Sequence, residues 1–153
     1  MIEIERKFLV HKNKWPRSEN NIVMRQGYMA QQGNLVCRVR QKNAQFYLSI
    51  KASIDKLSSY DYEYPIPSED GETMLNKLCD HEPVSKTRHL INQGDLTWEI
   101  DEFHDANEGL VVAEIELPSA DHPFDTPEWL GDEVSDDKRY TNYALYCKPH
   151  SQW

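Results

Sequence analysis

The chain has 153 residues, a length that fits a single domain over 1–153 with one sizeable hydrophobic core. Hydrophobic residues make up 39% and charged residues 28%, which predicts a soluble globular protein and excludes a membrane-spanning chain. The formal net charge of -9 argues against a general nucleic-acid binder, because such proteins gain affinity by neutralising phosphates.

Strand-like segments fill most of the sequence, and turn signals separate them. The predicted strands span about residues 1–10, 23–31, 35–41, 45–52, 59–66, 84–91, 95–104 and 110–117. Hairpin-type breaks such as Gly33-Asn34 and Lys42-Asn43 join antiparallel neighbours. Eight strands with short connections can close into a barrel that has no exposed edges and holds one small ligand. The predicted fold is therefore mainly β, an eight-stranded closed antiparallel β-barrel with a few flanking helices.

One helix is predicted in the long gap before the sixth strand. Ser68 is its candidate N-cap, and Glu69 and Asp70 suit the first turn, where the helix dipole favours acidic groups. The tail after the eighth strand is mixed. Its segments 127–130 and 140–146 are predicted to form short helices that pack on the sheet.

Nothing in the sequence predicts export or membrane insertion. The first residues contain no apolar stretch long enough for a signal peptide, and no later run approaches the ~20 apolar residues of a spanning helix. The three cysteines, Cys37, Cys79 and Cys147, lie far apart and form no C-x-x-C pair. We therefore expect a cytoplasmic protein with reduced thiols.

The functional argument depends on how charge alternates along the predicted strands. Alternate residues of a strand share a face. On most of these strands one face carries charged residues, commonly in like-signed pairs, and the other face is mainly apolar. The charged-face residues are Glu3, Glu5, Lys7, Arg38, Arg40, Lys51, Asp61, Glu63, Lys86, Arg88, Glu99, Asp101, Glu114 and Glu116, with Arg25 as a further candidate.

These charged faces can point to water or into a barrel. A solvated sheet face is the common case. However, like-signed pairs at i and i+2 repel, their sign changes from strand to strand, and acids and bases nearly balance. These features favour the interior, where charges cost free energy unless they are paired or bound to a ligand. Carboxylates suit Mg or Mn ions and Arg and Lys suit phosphates, so the sequence predicts a polyphosphate bound with divalent metals.

The chain resembles a known family. Glu3-Ile4-Glu5-Arg6-Lys7 matches the E-x-E-x-K signature of the CYTH superfamily, also called triphosphate tunnel metalloenzymes. Further motifs follow in the family's order over almost the whole chain. They are Arg25-Gln26-Gly27-Tyr28, Arg38-Val39-Arg40, the strand ending at Lys51, Tyr62-Glu63, Lys86-Thr87-Arg88, Ile100-Asp101, Glu114-Ile115-Glu116 and Asp137-Lys138-Arg139-Tyr140.

This resemblance implies an eight-stranded tunnel in which Glu3, Glu5, Glu114 and Glu116 bind Mg or Mn, with Asp101 close by. It also implies a set of triphosphate-binding residues, namely Lys7, Arg38, Arg40, Lys51, Lys86, Arg88 and Lys138. Asp61, Glu63 and Glu99 are further tunnel carboxylates, and Asp61 stands where relatives often carry the longer Glu. The chain is similar to short bacterial members that hydrolyse inorganic triphosphate to pyrophosphate and phosphate.

Several alternatives stay open at this point. Lys86 is a candidate proton acceptor, because a lysine among other cations can have a lowered pKa, but a metal can supply hydroxide instead. The substrate can be ATP, as in class IV adenylate cyclases, or thiamine triphosphate. The chain can also be a non-enzymatic polyphosphate- or nucleotide-binding module. We expect a small-molecule partner, no nucleic acid and no membrane, while the choice between monomer and homodimer is open.

Overall fold

The computed structural model describes all 153 residues, Met1–Trp153. Its nine strands are β1 Ile2–Val10, β2 Asn21–Gln32, β3 Leu35–Lys42, β4 Gln45–Ser53, β5 Ser58–Ile66, β6 Val84–Gln93, β7 Leu96–Phe103, β8 Val111–Glu116 and β9 Leu130–Glu133. The helices are α1 Ser68–Lys77 and α2 Asn142–Cys147, and short 3-10 segments lie at Asp105–Asn107, Lys138–Tyr140 and His150–Gln152. Neither these helices nor the 3-10 segments are long and apolar enough to cross a membrane.

Eight of the strands form a closed ring. They are hydrogen-bonded in the order β5-β4-β3-β2-β6-β7-β8-β1, and β1 pairs back onto β5, with Ile2 opposite Tyr60. Every pairing is antiparallel. Tight turns contain glycines with positive φ, such as Gly33 between β2 and β3 and Gly94 between β6 and β7. The ring confirms the predicted eight-stranded antiparallel barrel.

Two predictions about local structure are wrong. Residues 127–130 form no helix, because Leu130 starts β9, which pairs with the part of β1 that lies beyond β5. β9 thereby supplies backbone hydrogen-bond partners to the end of β1, which β5 leaves unpaired. The N-cap position of α1 is occupied by Pro67, and the Ser68 hydroxyl donates to Ala44 O instead of capping the helix. The helical segment near 140–146 is confirmed as α2, which Thr141 caps.

Much of the hydrophobic core lies outside the ring. On β1, β7 and β8 the outward side chains include Phe8, Trp98 and Ile115, and Trp15 and Trp129 from loops pack over them. On the opposite side, α1 places Leu75 against Val39 and Phe46. This apolar cover leaves the inside of the barrel free for charged residues, as the sequence predicted.

One part of the interior is apolar. Val84 and Phe103 belong to a buried cluster on which Leu145 and Tyr146 of α2 pack. The helix therefore lies against the barrel interior and places its first residue, Asn142, at the charged cavity described below.

The outer face of β4 and β5 has no such cover. Ile50, Tyr60, Tyr62 and Tyr64 keep 40–57% of their surface exposed. The register places Ile50 opposite Tyr62, so these side chains form a continuous uncharged surface.

Candidate active site

A cavity of about 320 Å³ lies inside the barrel. Its lining consists of Met1, Glu3, Glu5, Arg38, Arg40, Lys42, Lys51, Asp61, Glu63, Arg88, Glu99, Glu114, Glu116 and Asn142. Cross-strand partners share a face of a sheet, and the register aligns Arg38 with Ser49 and Glu5 with Glu116. Acids and bases from separate strands therefore converge in one enclosed space.

The first set of charges, the Asp101 group, contains Lys86, Arg88, Glu99 and Asp101. Arg88 donates to both carboxylate oxygens of Asp101, Nε to Oδ1 at 2.7 Å and Nη2 to Oδ2 at 2.9 Å, and also to Glu99. Lys86 Nζ donates to Asp101 Oδ2 at 2.7 Å. Burial opposes ionisation of Asp101, but Arg88 and Lys86 outweigh it and lower its pKa. Asp101 is therefore an anion that is satisfied by the protein itself.

Lys86 has an unusual environment. Its side chain is fully buried, and burial lowers its pKa to about 8. The attraction of Asp101 opposes this shift, while Arg88 and Arg40 add to it. The sequence reasoning named only the neighbouring cations, whereas desolvation is the larger cause. Lys86 does not itself line the cavity, but its Nζ also donates at 3.1 Å to Asn142 Oδ1, and Asn142 does.

Lys7 and Glu114 form a buried pair beside this group. Lys7 Nζ lies 3.3 Å from Glu114 Oε1 and donates to Tyr140 O at 2.9 Å. Burial raises the pKa of Glu114, but Lys7, Arg88 and Lys86 outweigh it and hold that pKa well below its usual value. Glu114 Oε1 is buried and, despite this ion pair, has no partner in hydrogen-bond geometry. This oxygen is therefore ion-paired but not hydrogen-bonded, and it has a lone pair that a cation could use.

The second set, the Lys51 group, contains Glu3, Glu5, Lys51 and Asp61. Lys51 Nζ lies 3.9 Å from Glu3 Oε2, 3.7 Å from Glu5 Oε1 and 3.9 Å from Asp61 Oδ2. One ammonium thus serves three carboxylates, and it reaches none of them at hydrogen-bond distance. Asp61 Oδ1 is buried without a hydrogen-bond partner, while Asp61 Oδ2 also lies 3.7 Å from Arg38 Nη2.

Burial and mutual repulsion disfavour the ionised forms of the acids in this region. Burial and the charge of Asp61 raise the pKa of Glu3 to about 7, although Lys51 opposes the shift. Repulsion from Glu114, followed by burial, raises the pKa of Glu5. Burial and Glu99 raise the pKa of Glu116. A raised pKa means that the ionised form of a carboxylate is disfavoured in its surroundings. An added cation would stabilise that ionised form, so the donor set fits a divalent metal ion.

In their present positions, however, these acids do not form a metal site. No group of three or more acidic, histidine or cysteine side chains converges closely enough to hold an ion as placed. Lys51 stands within 4 Å of Glu3, Glu5 and Asp61, and therefore occupies the space among them. Metal binding here requires Lys51 to swing away from them.

A row of bases on β3 faces the same cavity. Arg38, Arg40 and Lys42 share Glu63, at 3.8 Å, 3.6 Å and 2.6 Å respectively. Burial, with the repulsion of Arg38 and Arg88, lowers the pKa of Arg40 to about 10. Positive charge in this row exceeds the carboxylate that it shares, so the row suits phosphate oxygens.

Two neutral residues orient the arginines, and sequence reasoning missed both. Ser49 accepts from Arg38 Nε at 2.6 Å, and Gln26 accepts from Arg40 Nε at 2.9 Å. Gln26 is fully buried and also donates to the Tyr28 hydroxyl. Each bond fixes one edge of a guanidinium and leaves its terminal nitrogens for the cavity. Strand periodicity could have found them, because Gln26 lies opposite Arg40 and Ser49 opposite Arg38.

Two predicted site residues lie elsewhere. Arg25 faces outward, where it donates to Gln41 and pairs with Glu72 of α1, because the strand alternation turns its neighbour Gln26 inward. Lys138 is exposed and does not line the cavity. The other predicted residues either line the cavity or, like Lys7, Lys86 and Asp101, contact those that do. Lys42 and Asn142 line it without having been predicted.

This combination of fold and cavity has counterparts among known proteins. The CYTH domain family model matches residues 1–144. The chain belongs to the CYTH family. An inorganic triphosphatase of Acetivibrio thermocellus is 38% identical to this CYTH protein over 151 residues, which cover 99% of this chain and 97% of that protein.

A second relative and a solved structure agree with this membership. An inorganic triphosphatase of Nitrosomonas europaea is 36% identical over 151 residues, covering 95% of this chain and 97% of the relative. A crystal structure of an inorganic triphosphatase superposes with a TM-score of 0.68 at 34% identity, covering 94% of this chain and 93% of the other. The predicted family resemblance is confirmed.

Proposed function

We propose that this CYTH protein is an inorganic triphosphatase, which hydrolyses inorganic triphosphate to pyrophosphate and phosphate inside the charged cavity. The observation that carries the proposal is the meeting of underpaired acids around Lys51 with an underpaired row of bases on β3. A triphosphate with its metal ions supplies the opposite charge to both at once. The relatives named inorganic triphosphatases support the same reaction.

The bases would bind the phosphate chain. Arg38 and Arg40 present their terminal nitrogens from β3, and Arg88 lines the cavity from β6, two strands away in the ring, where Asp101 and Glu99 hold it in place. Lys51 adds positive charge at the cavity surface, and Lys7 adds charge that Tyr140 O and Glu114 hold in place. Donors held in place before the substrate arrives stabilise charge that develops in the transition state. Lys138 has no place in this arrangement unless its segment moves.

The acids would hold Mg or Mn. Glu3, Glu5, Glu114 and Glu116 have the surplus negative charge and the free oxygen that such an ion needs. A bound divalent ion neutralises phosphate charge and lowers the pKa of water. Asp101 is the exception among the predicted ligands. Both of its oxygens are already engaged, so we assign it to the orientation of Arg88 and Lys86.

Lys86 is buried behind the cavity lining and is our candidate proton acceptor, which would take the proton of the attacking water through one bridging water. A pKa of about 8 leaves part of the population neutral near neutral pH, as a base requires. Replacing Lys86 by Ala should lower turnover while metal binding stays intact. Unchanged turnover would remove Lys86 from the mechanism and leave metal-bound hydroxide as the base.

The double change of Glu114 and Glu116 to Gln should abolish metal-dependent activity, and retained activity would overturn the metal assignment.

A phosphate-release panel tests the proposed function. Inorganic triphosphate, thiamine triphosphate, ATP and pyrophosphate are each supplied with Mg, with Mn and without metal. We expect the fastest release from inorganic triphosphate, only with metal, and none from pyrophosphate. Arg25→Ala serves as the control, because Arg25 lies on the outer face. Binding of triphosphate without any release would identify a non-enzymatic binding module.

One observation favours organic triphosphates as a second candidate. A groove of about 600 Å³ beside the charged cavity is lined by apolar residues such as Ile4, Leu96 and Leu117, and shares Glu99 and Glu116 with that cavity. An organic group attached to the phosphate chain would find apolar contacts there. Faster turnover of thiamine triphosphate than of inorganic triphosphate, or release of cyclic AMP from ATP, would establish this alternative.

We further infer that the uncovered face of β4 and β5 joins two copies of the chain in a homodimer. Its exposed side chains are uncharged, so two acidic chains can meet there through the same patch without repulsion. Light scattering should report a dimer that Tyr62→Glu converts to a monomer, and a monomeric wild-type protein would refute this homodimer.

A cytoplasmic location, without nucleic-acid or membrane partners, stays a prediction.

A further inference from the structure

Asn142 is the only uncharged polar side chain that lines the charged cavity. It is the first residue of α2, and the Thr141 hydroxyl caps this helix by accepting from Ala144 N. Leu145 and Tyr146 of the same helix are buried in the apolar part of the barrel interior. The position of Asn142 is therefore fixed by packing on one side and by a cap on the other.

The hydrogen bonding of Asn142 determines which of its atoms is left for a ligand. Its Oδ1 accepts from Lys86 Nζ at 3.1 Å. The opposite amide orientation would place two donors against each other, since an ammonium only donates. The Nδ2 group has no hydrogen bond to the protein, because none of the side-chain bonds starts from it. The amide therefore has two free N–H donors for the cavity, while its oxygen is engaged by Lys86.

The same chain segment holds a second lysine. Tyr140 O accepts from Lys7 Nζ at 2.9 Å, two residues before Asn142 accepts from Lys86. Residues 140–142 thus fix two cations that originate on β1 and β6. A donor on a segment that holds two cations has surroundings that favour an anionic oxygen.

We infer that Asn142 binds a terminal phosphate oxygen of the triphosphate through its Nδ2 group while its Oδ1 positions Lys86. This inference rests on the proposed function, because the ligand is the phosphate chain of that reaction. It assigns two tasks to one amide: substrate binding, which sets KM, and orientation of Lys86, which sets kcat.

Asn142→Asp separates the two tasks. Aspartate has the same shape and still accepts from Lys86, but it replaces the donors by a negative charge that repels phosphate. We expect KM for inorganic triphosphate to rise about 10- to 100-fold. The new carboxylate also raises the pKa of Lys86, so kcat is compared on the high-pH plateau, where its change should be smaller. Asn142→Ala removes both contacts and should lower kcat as well. The control is Asn76→Asp, the same change at an exposed position of α1, which should leave both constants unchanged.

A calorimetric titration with inorganic triphosphate in the absence of metal measures binding without turnover. Weaker binding by Asn142→Asp and Asn142→Ala, with melting temperatures like that of wild type, supports the inference. Unchanged binding by whichever of the two folds overturns it, as does a loss of kcat and stability with KM unchanged. If wild type binds triphosphate but releases no phosphate, the proposed function fails while the titration still decides the role of Asn142.

Discussion

Around Asp101 the charged side chains are in hydrogen-bond contact, whereas around Lys51 they stand apart. Lys86 and Arg88 each approach Asp101 to 2.7 Å, and the pKa of Asp101 is lowered. Lys51 stays 3.7–3.9 Å from its three acids, and the pKa of Glu3 is raised to about 7. The same residue types therefore serve two purposes within one cavity.

The difference separates a group that is held in place before a ligand arrives from a group that lacks counter-ions. Bidentate contact satisfies the Asp101 group internally, so the folded protein needs no ligand to hold it. The Lys51 group keeps electrostatic strain that folding alone does not relieve. Ligands of opposite charge compensate these groups and are therefore bound favourably. A cation would bind among the acids, and phosphate would bind at the bases.

The same substitution in the two groups should have very different consequences for stability. Asp101→Asn leaves Lys86 and Arg88 buried without their anion, so the free energy of unfolding should fall by about 3–5 kcal/mol. Asp61→Asn removes an acid that repels Glu3 but also lies 3.7 Å from Arg38 Nη2, so its net effect on stability should be much smaller. Urea denaturation of both variants without metal measures this. Equal losses in the two variants would show that the groups are not different.

Removing an acid of the Lys51 group should affect activity rather than stability. Even residues behind the ligands of a metal typically change its affinity about 10- to 100-fold. Glu5→Gln should therefore lower metal-dependent phosphate release by at least ~100-fold. The melting temperature without metal should not fall, because the change relieves repulsion from Glu114. An active Glu5→Gln enzyme with normal metal affinity would place the ion elsewhere.

The raised pKa of Glu3 predicts a specific pH dependence. Its pKa is about 7 in the folded protein against an ordinary value of 4.5, so the folded state holds the proton more tightly. The contribution to stability is therefore present below about pH 4.5 and is lost as the pH rises to about 7. Metal competes with this proton, so metal affinity should rise by up to about tenfold per pH unit and level off above 7.

Glu3→Gln provides the comparison for that titration. It should remove the part of the pH dependence that arises between about 4.5 and 7, in melting curves recorded without metal. Identical pH profiles for wild type and Glu3→Gln would assign the effect to another group.

The smallest effects should come from the motif residues that lie outside the cavity. Arg25→Ala and Lys138→Ala should each change kcat/KM for inorganic triphosphate by less than about twofold, because surface charges contribute little. Arg38→Ala is the positive control, since Arg38 lines the cavity. A large loss in Lys138→Ala would show that its segment folds over the substrate.

The barrel and most of the cavity were predictable because one periodicity determines both. The two-residue repeat of a strand places Glu3, Glu5, Arg38 and Arg40 on one face, and closure of the ring makes that face the inside. The same rule, applied to charge alone, selected Arg25 on β2. The register instead turns Gln26 inward, opposite Arg40.

The other wrong or missed predictions concern features that a local sequence pattern does not determine. β9 forms because β1 has unpaired backbone beyond β5, which is a property of the assembled barrel. Asn142 carries no charge and lies in the tail, so a search for paired charges did not reach it. Lys42 was assigned to a turn because the predicted strand ended one residue too early.

A crystal structure with Mn and inorganic triphosphate tests the division of the cavity most directly. Our account predicts an anomalous Mn peak in contact with Glu3 and Glu5, with Lys51 moved onto phosphate and the contacts of Asp101 with Arg88 and Lys86 unchanged. Mn bound at Asp101, or a triphosphate that leaves Lys51 among its three acids, would contradict it.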